Sequence, residues 1–228
     1  MKAIVRRPSP LLREGIVTHV ERRPVDVELA FAQWEAYVDV LRAAGWETVE
    51  APAADEHPDG VFVEDALVVD GGLAVVARPG VDARRGETAG LGELAAALGL
   101  RVAWITEPAT LDGGDVLRVG DGFRVGVGGR TNAEGAEQLA AATGARVTQV
   151  PVRGVLHLKT ELTALPDGRL VDANALDLGG GKVLVAAGDP AAYRVAAHGF
   201  EPVHVDISEF QKLEAGVTCL SVLVRSTI

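Results

Sequence analysis

With one cysteine in 228 residues, Cys219, the chain can form no internal disulfide, and this excludes the stapled frameworks of small secreted proteins. Long apolar runs are missing as well. Runs such as Leu67 to Val69 and Leu73 to Ala77 are far short of the roughly 20 residues that a membrane helix needs. The start, Met1-Lys2-Ala3-Ile4-Val5-Arg6-Arg7, passes straight into charge and proline, with no apolar stretch of the kind a secretory signal carries. The chain is therefore expected to be cytoplasmic. Lys and Arg form no cluster, and the formal net charge is -10, which works against nucleic acid and anionic membrane as partners and favours a small cationic substrate. No Ser-rich or Pro-rich linker divides the sequence, so one domain over residues 1–228 is expected. At 48% hydrophobic residues the chain can bury a full core without metal or disulfide.

What the sequence does contain is repetition. Ala66 to Val69, the turn Asp70-Gly71-Gly72 and Leu73 to Val76 read as a β-hairpin, followed by a helix near Glu87 to Leu98 and a strand from Arg101 to Ile105. The pattern returns as Val116 to Val119, Gly120-Asp121-Gly122, Phe123 to Val127, a helix over Ala133 to Thr143 and a strand over Arg146 to Val150. A later copy has Ala175 to Leu178, three glycines, Lys182 to Ala186, a helix over Pro190 to Ala197 and Pro202 to Val205. At the N-terminus stand a strand, Ala3 to Arg6, a helix near Ala30 to Ala44 and a strand, Thr48 to Glu50. The last apolar strand, Cys219 to Val224, can pair with that incomplete unit and close a ring, which removes sheet edges.

One copy is short. The hairpin Leu162 to Val171, turning at Pro166-Asp167-Gly168-Arg169, runs directly into Asp172-Ala173-Asn174, so a crossover of roughly 20 to 35 residues is lacking. A true loss exposes apolar flanks, so the expectation is a further segment between Val171 and Asp172.

A lone cysteine is by default inert filling, and a histidine between leucines is by default a hydrogen-bonded core residue. Cys219, however, sits in Gly216-Val217-Thr218-Cys219-Leu220-Ser221 at the mouth of a strand, and His157 sits in Val155-Leu156-His157-Leu158-Lys159-Thr160. Together they can form a nucleophile and base. His19, His57, His198 and His204 lack the spacing of a metal site, and no metal or cofactor is expected. Carboxylates precede successive hairpins, in Asp59-Gly60-Val61-Phe62-Val63-Glu64-Asp65 and Leu111-Asp112-Gly113-Gly114-Asp115. A ring points both sets toward its axis. Gly113 and Gly114 would let a ligand approach backbone, and Arg84 and Arg130 are suited to clamp a carboxylate.

Phe62-Val63-Glu64-Asp65, Arg78-Pro79-Gly80, Leu111 to Asp115, Arg130-Thr131-Asn132, Leu156 to Lys159 and Val217-Thr218-Cys219 resemble, in order and approximate spacing, motifs of the dimethylarginine dimethylaminohydrolases. The resemblance spans the chain except Pro166 to Asn174. It implies a five-unit pseudo-symmetric α/β propeller, the pentein fold, here with its fourth unit shortened, and hydrolysis of Nω-methylated arginine to citrulline and a methylamine. It also implies Cys219 as nucleophile, His157 as acid and base, and Asp65 and Asp112 as guanidinium-binding carboxylates, with Asp112 near both catalytic groups and helping to keep His157 protonated. Further site positions it implies are Asp59 for the substrate amino group, Arg84 and Arg130 for its carboxylate, and Thr160, Glu214 and Glu64 nearby. A homodimer is compatible with the resemblance. An arginine deiminase-like hydrolase or a noncatalytic binder of arginine analogues are the alternatives on the same scaffold.

Overall fold

The computed structural model describes residues 1–225. It opens with a buried strand, β1 (Lys2–Val5), and a long loop that leads to α1 (Val27–Ala43). Asp26 starts this helix ahead of the expected Ala30, because its carboxylate accepts from the Leu29 N–H and satisfies a donor the first turn leaves free. β2 (Glu47–Glu50) then lies parallel to β1. A single helical turn, α2 (Val63–Ala66), leads into the hairpin β3 (Leu67–Asp70) and β4 (Leu73–Val76), followed by α3 (Leu91–Ala97) and the parallel strand β5 (Arg101–Trp104). The helix expected from Glu87 begins late. Gly90, at φ 73, separates it from a 3-10 segment, Asp82–Thr88, and a left-handed residue cannot continue a right-handed helix.

The next unit repeats the plan with β6 (Val116–Val119), β7 (Gly122–Val127), α4 (Ala133–Thr143) and β8 (Val147–Pro151). After the single turn α5 (Leu158–Glu161), the fourth unit has only β9 (Thr163–Ala164) and β10 (Leu170–Val171). The fifth is complete, with β11 (Leu176–Gly179), β12 (Lys182–Ala186), α6 (Ala191–Ala197) and β13 (Glu201–Val205). The turn α7 (Ser208–Gln211) and a 3-10 turn, Val217–Leu220, precede β14 (Ser221–Val224). β14 pairs antiparallel with β1, from Lys2↔Val224 to Val5↔Ser221, so the last strand completes the first unit as expected. It begins after Cys219, which lies in the 3-10 turn rather than on the strand.

The result is a mixed α/β fold with five sheets, in the orders β14-β1-β2, β3-β4-β5, β6-β7-β8, β9-β10 and β11-β12-β13. In the three-stranded sheets the central strand is antiparallel to one neighbour and parallel to the other. The crossover helix makes that parallel return possible, since parallel strands need a long connection. Each helix is wedged between its own sheet and the preceding one. Leu91 and Ala95 of α3 share a core with Ile4, Val222 and Val224 and with Leu67, Ala74 and Val76. Ala136 and Leu139 of α4 likewise join Val68 and Val75 to Val116, Phe123 and Val125. Ala191 and Val195 of α6 join Leu165 and Val171 to Val183 and Val185.

That last core covers the apolar flank that loss of a crossover after Val171 is expected to expose. The backbone runs straight on, with the Ala173 N–H donating to Val171 O at 3.0 Å, and α6 already covers the apolar side of the short hairpin. What is absent is the wedge between the third and fourth sheets. Among the described residues no helix is long and apolar enough to cross a membrane.

Candidate active site

Each unit carries chemistry in the turn that precedes its first strand. α2 supplies Glu64 and Asp65 before β3, the 3-10 turn Gly113–Asp115 with Asp112 ahead of it stands before β6, and His157 opens α5 before β9. Thr218 and Cys219 precede β14, and Asn174 precedes β11. The repeat in the sequence therefore brings these side chains to one place, as a pseudo-symmetric arrangement requires.

His157 is the centre of the site and is buried. Its Nε2 lies 3.1 Å from Asp112 Oδ2 and its Nδ1 3.7 Å from Asp65 Oδ1. Burial alone pulls the imidazole pKa down. The surrounding carboxylates, Asp65 foremost and then Asp112 and Asp115, outweigh it and raise the pKa to about 9. At neutral pH the ring is an imidazolium. Asp115 fixes the turn on which His157 stands. It accepts from the Leu158 N–H at 3.0 Å and from Thr131 Oγ1 at 2.7 Å. Its own carboxyl is pushed up to about 6, chiefly by burial.

Gly114 shows why this packing needs a glycine. A Cβ there would stand 2.6 Å from His157 Nδ1 and 2.7 Å from Asp65 Oδ1. A Cβ at Gly113 would stand 2.0 Å from Glu64 O. A close approach to these glycines is made by neighbouring units of the fold, and Gly114 also lines the larger cavity.

Cys219 is partly exposed and lines the same two adjoining cavities as His157. One, of about 230 Å³, also meets Glu64, Lys159 and Asn174; the other, a narrow cleft, meets Asp59, Asp65, Arg84 and Arg130. The sulfur accepts from the Gly216 N–H at 3.4 Å, and no hydrogen bond joins thiol and imidazole among the described residues. Burial, followed by the negative charges of Glu64 and Asp65, pushes the thiol up to about 12, while the Gly216 N–H and Lys159 pull the other way. The resting pair is therefore thiol and imidazolium.

Of the expected site residues, Asp59, Glu64, Asp65, Arg84, Arg130, His157, Thr160, Glu214 and Cys219 all line one or both cavities, and several are also engaged by the protein itself. Arg84 grips Glu87 with two nitrogens, at 2.9 and 2.8 Å, and Asp65 with a third at 2.7 Å, and it is buried. Those bonds occupy the fork that a bidentate carboxylate clamp requires, so Arg84 holds Asp65 in place. Asp65 answers to this: burial raises its pKa, but His157 and Arg84 outweigh burial and lower it to about 2.

Arg130 makes one longer contact, 3.4 Å to Asp112, and keeps donors to spare on the cleft wall. Asp112 is fully enclosed and reaches neither cavity; it accepts from the Gly80 N–H and holds His157. Thr160 is exposed, and its hydroxyl accepts from the His157 N–H at 3.2 Å, closing the first turn of α5.

Asp59 and Glu214 hold the loop after the 3-10 turn Leu12–Glu14. Asp59 accepts from the Ile16 N–H at 3.1 Å, and Glu214 from the N–H groups of Thr18, His19 and Val20. Those bonds lower the Glu214 pKa against the opposing effect of burial. Glu214 itself has φ 65, a strained backbone for a residue with a side chain.

The ligand atoms of Asp65, Asp112 and His157 lie within 4.8 Å of one another, a spacing that could hold a metal. Arg84, Arg130 and the imidazolium already compensate those two carboxylates, and this donor set suits a proton or a guanidinium better than a second cation. Glu87, Asp115 and Asn174 had not been singled out from the sequence. Glu87 was signalled only by its helical spacing from Arg84, Asp115 by its place in the repeated acidic motif, and Asn174 by its place before a unit's first strand.

No family model matches the chain. It is 53% identical to the N(G),N(G)-dimethylarginine dimethylaminohydrolase of Streptomyces coelicolor, covering 98% of this chain and 97% of the relative. The alignment spans 250 positions and this chain has 228 residues, so at least 22 positions of the relative have no counterpart here. The enzyme of the same name from Pseudomonas aeruginosa is 32% identical, covering 96% of this chain and 97% of the relative. Among solved structures, a histidine-to-glycine variant of dimethylarginine dimethylaminohydrolase, as an adduct with S-methyl-L-thiocitrulline, has a TM-score of 0.91 at 30% identity, covering 97% of this chain and 98% of that one. The N-terminal domain of ArgZ, an arginine dihydrolase from cyanobacteria, has a TM-score of 0.85 at 18% identity, covering 99% and 98%, and shares the fold. The chain belongs to the dimethylarginine dimethylaminohydrolase family.

Proposed function

We propose that this protein hydrolyses Nω-methylated arginine to citrulline and the corresponding methylamine, with Cys219 as nucleophile and His157 as proton donor and acceptor. The observation that carries the reading is that Cys219 and His157 line the same two cavities, beside Glu64 and Asp65, in a member of this family. The five turns that meet there support a five-unit pseudo-symmetric propeller, a pentein, acting as one domain over residues 1–228 with a shortened fourth unit. The single free cysteine supports a cytoplasmic setting.

A guanidinium carbon resists attack because resonance spreads its charge, so the reaction needs a strong nucleophile in fixed geometry. The thiol supplies one once a cation docks against it, since the substrate charge offsets the field of Glu64 and Asp65 that holds the proton on sulfur. The proton leaves to solvent and the thiolate bonds to the guanidinium carbon. His157 then donates its proton to the departing methylamine as the C–N bond breaks, leaving a planar thiouronium on Cys219. The neutral imidazole takes a proton from water, the hydroxide attacks the same carbon, and as the C–S bond breaks the added hydroxyl passes its proton to the departing sulfur, which releases citrulline and restores the thiol. In this reading Asp59 and Arg130, which line the cleft, take the substrate's amino and carboxylate groups. No cofactor enters the sequence of steps.

Citrulline release from arginine, monomethylarginine and dimethylarginine tests the reading. Turnover of the methylated compounds with release of methylamine is expected. Ammonia from arginine as the preferred product points instead to a deiminase, and calorimetric binding without turnover points to a binder.

A further inference from the structure

Among the turns that precede the first strands, the one belonging to the fifth unit has no part in the chemistry described so far. It carries Asn174, whose partly buried side-chain amide faces the larger cavity. All of its hydrogen-bonding capacity except one lone pair is engaged. Nδ2 donates to Lys159 O at 2.8 Å and to Thr218 Oγ1 at 3.0 Å, and Oδ1 accepts from the Thr218 N–H at 3.2 Å. Lys159 lies in the turn that His157 opens, and Thr218 precedes Cys219, so one amide spans the two turns that bear the base and the nucleophile. Reversing the amide would set its NH₂ against the Thr218 N–H, so the network itself fixes the orientation.

We propose that Asn174 is a positioning residue that ties the Cys219 turn to the His157 turn and so sets the distance and angle between nucleophile and base. The inference rests on the roles proposed for Cys219 and His157. Two further contacts make the tie specific to the sulfur. The Asn174 side chain packs on Gly216, where a Cβ would stand 2.2 Å from its Cγ, and Gly216 is the residue whose N–H donates to Cys219 Sγ. Because Asn174 donates to the Thr218 hydroxyl, that hydroxyl must turn its single proton to Glu64 Oε2, 2.8 Å away, while Lys159 Nζ donates to Oε1 at 2.6 Å. Asn174 therefore also orients the Thr218 hydroxyl toward the Glu64 carboxyl group beside the thiol. With the fourth crossover missing, Asp172 and Ala173 are all that separate Asn174 from β10, so the short hairpin feeds this side chain directly into the site.

Asn174→Ala should lower kcat by up to about 10²-fold, the cost of a misplaced reacting pair, with KM within about threefold of wild type. Asn174→Asp keeps the acceptor for the Thr218 N–H and loses both donors. It should fall between the two and move the pH profile of Cys219 alkylation by iodoacetamide upward, because it adds a negative charge beside the thiol. Rates are to be taken per folded site, with thermal melting as the control for a merely structural role. A wild-type kcat in Asn174→Ala overturns the proposal.

Should Asn174→Ala not fold, the pair with Gly216 decides. Gly216 has φ -109, which alanine tolerates, so Gly216→Ala should act only through the clash with Asn174. Combining it with Asn174→Gly should be no worse than Asn174→Gly alone, whereas effects that multiply overturn the proposal. Turnover retained by Cys219→Ser sinks the underlying assignment. Turnover lost there but kept in Asn174→Ala sinks the positioning role alone.

Discussion

The third and fourth units begin alike and end differently. Both open with a turn that carries a site residue, Asp115 in one and His157 in the other, and both continue into an antiparallel hairpin. The third then adds α4 and β8, and α4 is wedged against the second unit's sheet through Leu139 and Ala136. The fourth stops at the hairpin. Its apolar side is covered by α6 of the following unit, and its catalytic turn is held by hydrogen bonds from its neighbours, Asp115 to the Leu158 N–H and Asn174 to Lys159 O. In this fold the helix fills the gap between sheets, and the turn before the first strand carries function. In the fourth unit the two are separated, because its turn is held by polar contacts with neighbouring turns and its hairpin by the apolar face of α6.

The sharpest test of that separation is chemical. Cys219→Ser should reduce turnover by about 10³-fold or more while leaving the melting temperature near wild type, since Cys219 only borders the core around α1 and serine is of similar size. More than a few per cent of residual activity would falsify the nucleophile assignment. His157→Gly, in the truncated unit, should accumulate an adduct on Cys219 from an activated substrate with a good leaving group, because the water that clears it has lost its base. Intact mass spectrometry that finds no added mass denies His157 that role.

Packing should show the opposite ranking. Leu139→Ala removes the centre of a wedge between two complete sheets and should cost about 2–5 kcal/mol in urea unfolding. Leu165→Ala, in a hairpin of two-residue strands that can close over the space, should cost about half as much. Equal losses would mean that the fourth unit is as tightly built as the third.

A smaller effect follows from His157. Its folded pKa of about 9 lies above the ordinary value of 6.5, so its charge stabilises the fold fully below 6.5 and this contribution fades as pH rises through 9. Melting temperature should decline from pH 6.5 to 9. A flat profile over that interval argues against the imidazolium between Asp65 and Asp112. Finally, the purified protein should have a mass near 23.8 kDa; an excess of roughly 2 to 4 kDa would restore a crossover to the fourth unit and remove the contrast.

Much of this was legible before any coordinates. Glycine and aspartate turns between alternating apolar runs locate the hairpins, because β-turn chemistry is local and strand alternation has a fixed period. The repeat then implies that Glu64, Asp65 and Asp112 converge, since equivalent positions of repeated units occupy equivalent places, and the family resemblance adds His157 and Cys219 to them. Helix starts at Val27 and Leu91 were misplaced, as a cap at Asp26 and a left-handed Gly90 act through backbone geometry that hydrophobic periodicity does not report.

Tertiary structure alone decided how the charges are shared. Arg84 reads in sequence as a free cation, yet in space it is held by Glu87 and Asp65, and Asp112 reads as a substrate ligand, yet it is enclosed behind the imidazole. Glu214 and Asp59 are drawn to the backbone of the 16–20 loop, and Asn174 crosses between two turns remote in the chain. The identity of a side chain states what bonds it can make. Which bonds it does make, and so where its pKa lies, depends on neighbours that only folding supplies.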